Sequence, residues 1–563
     1  MPSPSRSGLA ALVALPLTFA LSPVYAAAPQ SETSGLYADF LTSRMAVAQS
    51  DPDEAARAAL AALTLDPAQP EMLNQAFVTC AFAGRPEALG LAHLLPANPL
   101  AELMIADAAI QRGEWQEAAD SVRHLPSVGV MEALRPVLLA WIDQAEGQTD
   151  AALRRLDPLM RDGRFRAAAA LHAAMIADLA DRPLDAGRLY QQAEAAFGTL
   201  SLRQAEIIAS FYARNGREGE ALGLLGRAAS TQLDLGMILP AVSEHLTTRP
   251  VASVADGIAE AYVASAGSLE QGNYLRRADA ETATILLRYA LSLRPDFDAA
   301  KLLLAEIDRS EGHPADARTL LAGVSVDSPL SGIARLHEVE ILHDLGDDTT
   351  AMATLDSLAA AFPQSALPLT QKAELLRAAG RLAAAAAAYD AAIARSGDGG
   401  PSAWVVYYQR AMVHDQSGDW PAAEADLRHA LTLAPDQPAV LNYLGYSWAD
   451  RGENLAEAAS MIARANEAEP NDAAIVDSMG WVLLKQGDIE GAIRTLERAS
   501  ELSPSDPTIT GHLGDAYEAA GRKLEASYQW QRALALDPDP SEAAHLHLKL
   551  EGGSRQSARA QTD

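Results

Sequence analysis

Small and apolar residues recur along this chain at one fixed spacing, most clearly in its last third. Glycines step by 34, 35 and 34 residues there, alanines by 35, 34 and 34, and prolines by 35, 34 and 34. These markers are Gly418, Gly452, Gly487 and Gly521, then Ala430, Ala465, Ala499 and Ala533, and finally Pro435, Pro470, Pro504 and Pro538. Three sets that keep one period predict a tandem array of identical supersecondary units.

Each marker has a physical role in a helical hairpin. Glycine adopts the left-handed backbone conformation that ends a first helix. Alanine keeps the side chain small where two helices cross, because a larger group would force them apart. Proline ends the second helix. Each unit is therefore predicted to be a helix, a tight turn and a second helix.

The same spacing continues upstream. The turn positions are Ser50, Gly84, Gly113, Gly147, Asp181, Gly216, Gly312, Gly346 and Gly380, and an alanine follows five residues after most of them. We expect thirteen or fourteen hairpins between about Tyr37 and Pro538.

The period and its markers resemble the tetratricopeptide repeat, whose first helix carries Leu-Gly and an aromatic residue. The segment from Asp477 to Pro504 is similar to that pattern, as are Leu513-Gly514 with Tyr517 and Leu444-Gly445 with Trp448. The resemblance implies an all-α fold, a solenoid of helical hairpins wound into a right-handed superhelix.

The markers lose their register between about Gln232 and Leu275, where Asp234 to Arg249 is expected to form a long joint. We therefore predict a signal peptide over 1–26, an N-terminal solenoid half over 37–232 and an irregular seam over 233–275. A C-terminal solenoid half over 276–550 and a disordered polar tail over 551–563 follow.

Composition agrees with many thin helical layers: apolar residues make up 49% of the chain and aromatic residues 5%. The formal net charge is −30, from 74 acidic and 44 basic residues, which argues against nucleic-acid binding. Cys80 is the only cysteine, so no disulfide framework or cysteine-based zinc site is expected.

The first residues have the features of an export signal. Arg6 precedes an apolar stretch from Leu9 to Leu21, and Val24-Tyr25-Ala26 fits the small-x-small rule for cleavage. No cysteine stands at this position, so a bacterial lipid anchor is not expected. We predict a periplasmic protein with no transmembrane segment after cleavage.

No catalytic motif is complete in this sequence. Gly445-Tyr446-Ser447 lacks the second glycine of a nucleophile elbow, and His337-Glu338 lacks the second histidine of a zinc-protease helix. We therefore expect no enzyme activity, no cofactor and no metal, although an enzyme with an unrecognised site stays an alternative.

The tetratricopeptide resemblance implies that positions 2, 5, 9, 12 and 13 of each first helix line a concave groove. Carried over to this sequence, the candidate partner-binding residues are Tyr408, Asp415, Asn442, Tyr446, Asp477, Trp481, Lys485, Asp515 and Glu518. Aromatic residues between carboxylates suit a peptide with apolar and basic side chains. The alternatives are packing between hairpins for Tyr446 and Trp481, and a solvated face for Asp477 and Asp515.

The stretch from Leu441 to Arg451, followed by Ile475 to Trp481, is similar to a family of bacterial envelope tetratricopeptide proteins. That family includes the lipoprotein adaptor of a carboxyl-terminal processing protease, which delivers cell-wall hydrolases to it. The resemblance implies a scaffold that binds other proteins or peptides, here without the lipobox cysteine. The alternative is a structural part of an envelope assembly, such as a polysaccharide or pilus export machine.

Overall fold

The computed structural model describes residues 30–49, 51–96, 98–229, 233–270, 277–397 and 403–560. The predicted signal peptide and Ser50 lie outside these residues. All regular secondary structure in the described part is helical, which confirms the predicted all-α tetratricopeptide solenoid. The chain divides into two compact units, residues 1–135 with 269–289 and residues 136–268 with 290–563.

The first twelve helices are α1 (Gln30–Ala48), α2 (Pro52–Leu65), α3 (Pro70–Phe82), α4 (Glu87–Ala92), α5 (Pro99–Arg112), α6 (Trp115–Arg123), α7 (Met131–Ala145), α8 (Thr149–Arg161), α9 (Arg166–Leu179), α10 (Pro183–Phe197), α11 (Leu202–Arg214) and α12 (Glu218–Ala229). Three helices follow: α13 (Leu233–Glu244), α14 (Val254–Glu270) and α15 (Arg277–Leu293), with 271–276 outside the described residues.

The paired helices resume as α16 (Asp298–Ser310), α17 (Pro314–Ala322), α18 (Ser331–Asp344), α19 (Asp348–Ala361), α20 (Leu367–Ala378), α21 (Leu382–Ser396), α22 (Ala403–Gln416), α23 (Trp420–Leu433), α24 (Pro438–Arg451), α25 (Leu455–Ala468), α26 (Ala473–Gln486), α27 (Ile489–Leu502), α28 (Pro507–Ala519) and α29 (Lys523–Ala535), and the last helix is α30 (Pro540–Ala560). The described residues thus contain thirteen hairpins, within the predicted number.

The turns of these hairpins lie at the predicted markers. Gly487, between α26 and α27, has φ 86°, and the other glycines predicted as turns also have positive φ. Asp181 occupies the same position between α9 and α10 with φ 55°, a conformation that aspartate tolerates better than most residues. The spacing of small residues therefore predicted the turn geometry as well as the period.

Close approach of the two helices explains the glycines of Leu444-Gly445, Met479-Gly480 and Leu513-Gly514 in the first helices. A Cβ on Gly480 would lie 2.5 Å from Leu496 Cγ on the second helix of the same hairpin. Ala492, Leu496 and Ala499 are fully buried at this crossing. The missing side chain lets the helices pack at a distance that an alanine would not allow.

An arginine at a fixed spacing joins neighbouring hairpins. Arg464, Arg498 and Arg532 each donate to the carbonyl oxygen of the closing proline of the preceding unit, at 2.7, 2.6 and 2.5 Å. These carbonyls follow the end of a helix and have no partner within it. The arginine therefore fixes the exit of one hairpin to the second helix of the next.

Helices α13 and α14 occupy most of the seam predicted over 233–275, residues 245–253 between them are not helical, and 271–275 lie outside the described residues. Helix α13 occupies most of the expected joint from Asp234 to Arg249, so that expectation is wrong. Within the second unit, α13 packs on α18 and α20, which come much later in the sequence. The markers disappear here because a helix that packs on distant repeats needs no hairpin turn.

Helix α14 also packs on first helices of the second unit. A Cβ on Gly257 would lie 2.3 Å from the ring of Trp141 in α7, and Glu260 accepts a hydrogen bond from Arg203 Nε in α11 at 3.0 Å. Ile258 and Tyr262 are fully buried. Part of the face formed by first helices is therefore already covered by a helix of the same chain.

Helix α30 covers the last hairpin. Leu546 is buried, Lys549 Nζ donates to Asp515 Oδ2 at 2.7 Å, and Thr508 Oγ1 donates to Glu542 at 3.1 Å. The tail predicted from residue 551 is the continuation of α30 as far as Ala560, and 561–563 lie outside the described residues.

Candidate functional site

The nine candidate residues lie on four successive first helices, α22, α24, α26 and α28, all in the second unit. We call the face of these four helices the C-terminal groove. Its side chains form three clusters: the first two join consecutive hairpins, and the third joins the last hairpin to α30.

The first cluster joins α22 to α24 through Asp415. Tyr443 Oη donates to Asp415 Oδ2 at 2.9 Å, and Arg451 Nη2 donates to Asp415 Oδ1 at 2.7 Å. Tyr408 meets the Tyr443 ring edge-on, with the centroids 5.8 Å apart. Both carboxylate oxygens of Asp415 therefore accept hydrogen bonds from the neighbouring hairpin, and the aromatic ring of Tyr408 packs against Tyr443.

The second cluster is centred on a buried carboxylate and imidazole. The Oδ2 and Oδ1 atoms of Asp477 in α26 lie 2.8 Å and 3.1 Å from Nδ1 of His512 in α28. Both side chains are enclosed, at 7% and 12% exposure. Burial lowers the pKa of His512, but the charge and hydrogen bond of Asp477 outweigh it, so the pKa is raised overall.

Trp481 closes this pair from one side. Its ring stacks on His512 with the centroids 4.1 Å apart and the planes inclined by 21°, and Lys485 Nζ lies 4.6 Å over its centroid. Lys485 also donates to the carbonyl oxygen of Asp450 at 3.1 Å. Trp481 therefore contacts both an imidazole and an ammonium group, and cation–π attraction favours the second contact.

Tyr446 extends the aromatic surface of the second cluster toward α24. Its ring centroid is 6.1 Å from that of His512. Burial raises the pKa of Tyr446 well above its usual range, with a smaller contribution from the nearby carboxylate of Asp450. The phenol thus stays protonated and able to donate a hydrogen bond.

The third cluster fixes Asp515 between α29 and α30. Trp530 Nε1 donates to Asp515 Oδ1 at 3.0 Å, and Lys549 occupies the other oxygen. Glu518, one turn further along α28, is exposed. Of the two acidic candidates on this helix, Glu518 is therefore the one that faces solvent.

Among the nine candidate residues, two polar atoms are buried and lack a hydrogen-bond partner: Oδ1 of Asn442 and Nε1 of Trp481. One is an acceptor and the other a donor, the two roles that the main chain of a bound peptide complements. Unpaired buried polar atoms cost stability, so their presence at predicted groove positions is consistent with recognition of a polar backbone.

Sequence reasoning missed His512 because it is at position 6 of its helix, which the groove rule leaves out. The signal that it missed is a spacing of 35 residues from Asp477, which places the two side chains on adjacent first helices. The groove rule also leaves out Arg451 and Lys549. Arg451 pairs with Asp415 from the end of α24, and Lys549 pairs with Asp515 from the last helix, α30.

Comparisons with known proteins identify the repeats. Residues 302–366, 408–473 and 478–543 match a family model described as "Tetratricopeptide repeat". These stretches are tetratricopeptide repeats, a class of repeat that is generally a non-catalytic scaffold for protein–protein interaction. The C-terminal groove lies almost wholly within the second and third of them.

Two curated relatives share parts of the chain. A TPR repeat-containing protein of Pseudomonas aeruginosa is 39% identical over 108 residues, which are 19% of this chain and 18% of the relative. Cellulose synthase operon protein C of Xanthomonas axonopodis pv. citri is 26% identical over 251 residues, which are 44% of this chain and 15% of the relative. The chain thus spans less than a fifth of the length of either relative.

Solved structures of low identity are similar as well. YrrB, described as a TPR protein with an unusual peptide-binding site, is 20% identical with a TM-score of 0.27, covering 34% of this chain and 96% of YrrB. Cut9, in a complex with Hcn1, is 16% identical with a TM-score of 0.38, covering 92% of this chain and 96% of the other. Among the helices of the described residues, none has both the length and the hydropathy needed to cross a bilayer.

Proposed function

We propose that this protein is a non-catalytic scaffold or adaptor of the periplasm that holds a segment of a partner protein in the C-terminal groove. The observation that carries the proposal is the set of three clusters, which lock aromatic and acidic side chains of four successive first helices into one continuous surface. A surface with fixed side chains pays less ordering entropy on binding than a mobile one.

The charges of the groove favour a partner segment with basic and apolar residues. Asp450 and Glu518 are the solvent-facing carboxylates here, with Asp450 at 49% exposure. The aromatic rings of Tyr408 and Tyr446 are half-buried and offer apolar contact area. The net charge of −30 would also speed the encounter with a basic partner.

The finer role that we propose is presentation of substrates to a processing protease or to cell-wall hydrolases. It rests on the resemblance of Leu441–Arg451 and Ile475–Trp481 to envelope adaptors and on the export signal predicted for residues 1–26. A pull-down from envelope extracts with the mature chain should recover such a protease or hydrolase.

The structure decides which variants test the groove. Asp477 and Trp481 are buried, so their replacement would disturb the fold as well as binding. Asp450→Lys and Glu518→Lys reverse solvent-facing carboxylates instead, and both should lower recovery of a partner with a basic segment. Glu490→Lys is the matched control, because Glu490 is 93% exposed and lies on the second helix α27. If the two groove variants recover as much partner as the control, the groove does not bind it.

A structural role in an export machine is a second candidate. It is favoured by the 26% identity to cellulose synthase operon protein C over 44% of this chain. In that case the protein should co-purify with a membrane complex at constant stoichiometry through detergent extraction and gel filtration. Recovery of a soluble hydrolase or protease in exchange with the free pool would instead favour the adaptor.

A further inference from the structure

A cavity of about 750 Å³ lies within the second unit, away from the clusters of the C-terminal groove. It is bounded by α13, by the turn from α19 to α20, and by the first helices α20 and α22. Its apolar lining includes Met237, Pro240, Phe362, Leu367 and Val405. A volume of this size is in the range of sites that take a small ligand or several side chains.

Helix α13 shows that this face of the repeats packs against apolar side chains. Met237 and Ile238 are buried, and a Cβ on Gly332 of α18 would lie 3.0 Å from Met237 Cε and 3.1 Å from Ile238 Cγ2. A helix of the same chain therefore packs its apolar side chains onto the first helices. It covers only part of the face, and the cavity is the part that it leaves open.

Two buried amide oxygens at the cavity accept no hydrogen bond. Gln371 of α20 and Gln409 of α22 both line it, and Oε1 of each is buried without a partner. A side-chain amide can turn about its last bond to meet a group in the cavity. An alkyl chain has no N–H to offer, whereas a polypeptide backbone has one at nearly every residue.

The charges at the cavity have one sign. Among the described residues that line it, Glu244 and Glu374 carry charge and none is a lysine or arginine. Glu374 is bonded to Arg377 and to the hydroxyl of Tyr389, while Glu244 at the end of α13 is exposed. Glu244 is therefore the carboxylate that a basic side chain of a ligand would meet at the rim.

The turn from α19 to α20, which forms one wall of the cavity, is fixed. Arg395 Nη1 donates to the carbonyl oxygens of Ala359, Phe362 and Ser365, at 2.9, 3.4 and 3.2 Å. These three residues belong to the end of α19 and to the turn that lines the cavity. This wall therefore needs little ordering when a ligand binds, which favours binding.

We propose that α13, α20 and α22 form a composite binding site for a partner polypeptide segment with two or more adjacent apolar side chains followed by a basic residue. The apolar side chains fill the cavity beside Met237 and Phe362. The backbone N–H groups meet Gln371 and Gln409, and the basic residue pairs with Glu244. The proposal rests on the scaffold function proposed above but places a second partner site outside the C-terminal groove.

The test uses the purified mature chain and an array of synthetic 12-residue peptides. The array varies an apolar pair and the position of one arginine, with Leu→Ser and Arg→Glu versions of each peptide as controls. The tightest peptide is then labelled with fluorescein and titrated by anisotropy. We expect Ala241→Phe, which puts a ring into the cavity, to weaken binding by about tenfold or more. Glu244→Lys should weaken it by about threefold or more.

Glu469→Lys is the matched control for charge, because Glu469 is exposed at the end of α25. Should Ala241→Phe fail to fold, Gln409→Leu is the second variant; it removes an unpaired buried amide and should lower peptide affinity while keeping the fold. Thermal unfolding monitored by circular dichroism verifies the fold of each variant.

Loss of peptide binding in the cavity variants, with retention in Glu518→Lys and Glu469→Lys, supports the composite site. Loss in Glu518→Lys but not in Ala241→Phe overturns it and leaves the C-terminal groove as the binding site. Binding of a fluorescent C12 fatty acid that Ala241→Phe abolishes, with no peptide bound, overturns it in favour of a lipid. If no peptide binds, the composite site is wrong, and only the envelope pull-down then decides the scaffold function.

Discussion

The contact between Asp477 and His512 makes a prediction that can be worked out from its geometry. Asp477→Ala removes both hydrogen bonds to an imidazole that is 12% exposed and stacked on Trp481. Leaving one member of a buried ion pair without its partner costs about 3–5 kcal/mol. His512 can escape part of this cost by staying neutral, so we expect about 3 kcal/mol at pH 6.

Asp477→Ala should reverse the direction in which the stability contributed by His512 changes with pH. In the native chain the pKa of His512 is raised, so the pair stabilises the fold fully below the imidazole's unfolded pKa, and this stabilisation is lost as pH rises through the folded pKa. The groups that set the pKa, besides burial, are Asp477, Asp515 and the opposing charge of Lys549. Without Asp477, burial disfavours the imidazolium, so the variant should become less stable in acid. At pH 9 the loss should fall to about 1–2 kcal/mol.

Because stability in a repeat array is local, the assay should also be local. Hydrogen exchange followed by mass spectrometry should show faster opening of α28–α30, by a factor on the order of 100 at pH 6. Protection factors, rather than raw rates, remove the intrinsic pH dependence of exchange. Glu490→Ala, at an exposed site, should leave protection unchanged. Equal loss at pH 6 and pH 9, or loss spread evenly over the second unit, would refute the ionic link between α26 and α28.

Three further predictions concern packing and burial. Gly480→Ala should cost about 1–3 kcal/mol in thermal unfolding because of the 2.5 Å approach to Leu496, whereas Gly226→Ala, with nothing within 4 Å, should be neutral or stabilising. Glu260→Ala should destabilise its unit by about 3–5 kcal/mol in urea unfolding, since Glu260 is 5% exposed and paired with arginine. Burial raises the pKa of the Cys80 thiol to about 11, so iodoacetamide at pH 8 should label the native chain far more slowly than the unfolded chain.

The hairpins could be predicted from sequence because each one repeats the same local requirements. A turn such as that at Gly487 needs a left-handed residue, and a crossing such as that at Gly480 needs a missing side chain. Both requirements act within about 35 residues, so they appear as spacing in the sequence. The structure confirms the fold class and the turns for this reason.

The candidate groove was predictable only as a set of positions. The helix positions of Asp415 and Asp515 follow from the repeat, but their partners Arg451 and Lys549 lie on neighbouring elements at spacings that vary. Whether these residues bind a partner stays a prediction. Helix α13 could not be placed at all, because its contacts with α18 and α20 join residues about a hundred positions apart and leave no period.

Helix α13 has a consequence for how this array can be shortened. Repeat proteins are usually trimmed at hairpin boundaries, since each repeat contacts only its neighbours. A fragment beginning at Ala290 would have complete hairpins, yet it would uncover Gly332, Phe362 and the other residues that Met237 and Ile238 protect. Such an exposed apolar strip promotes aggregation. The smallest well-behaved piece of the C-terminal repeats is therefore one that carries α13 with it, joined in trans or by a linker.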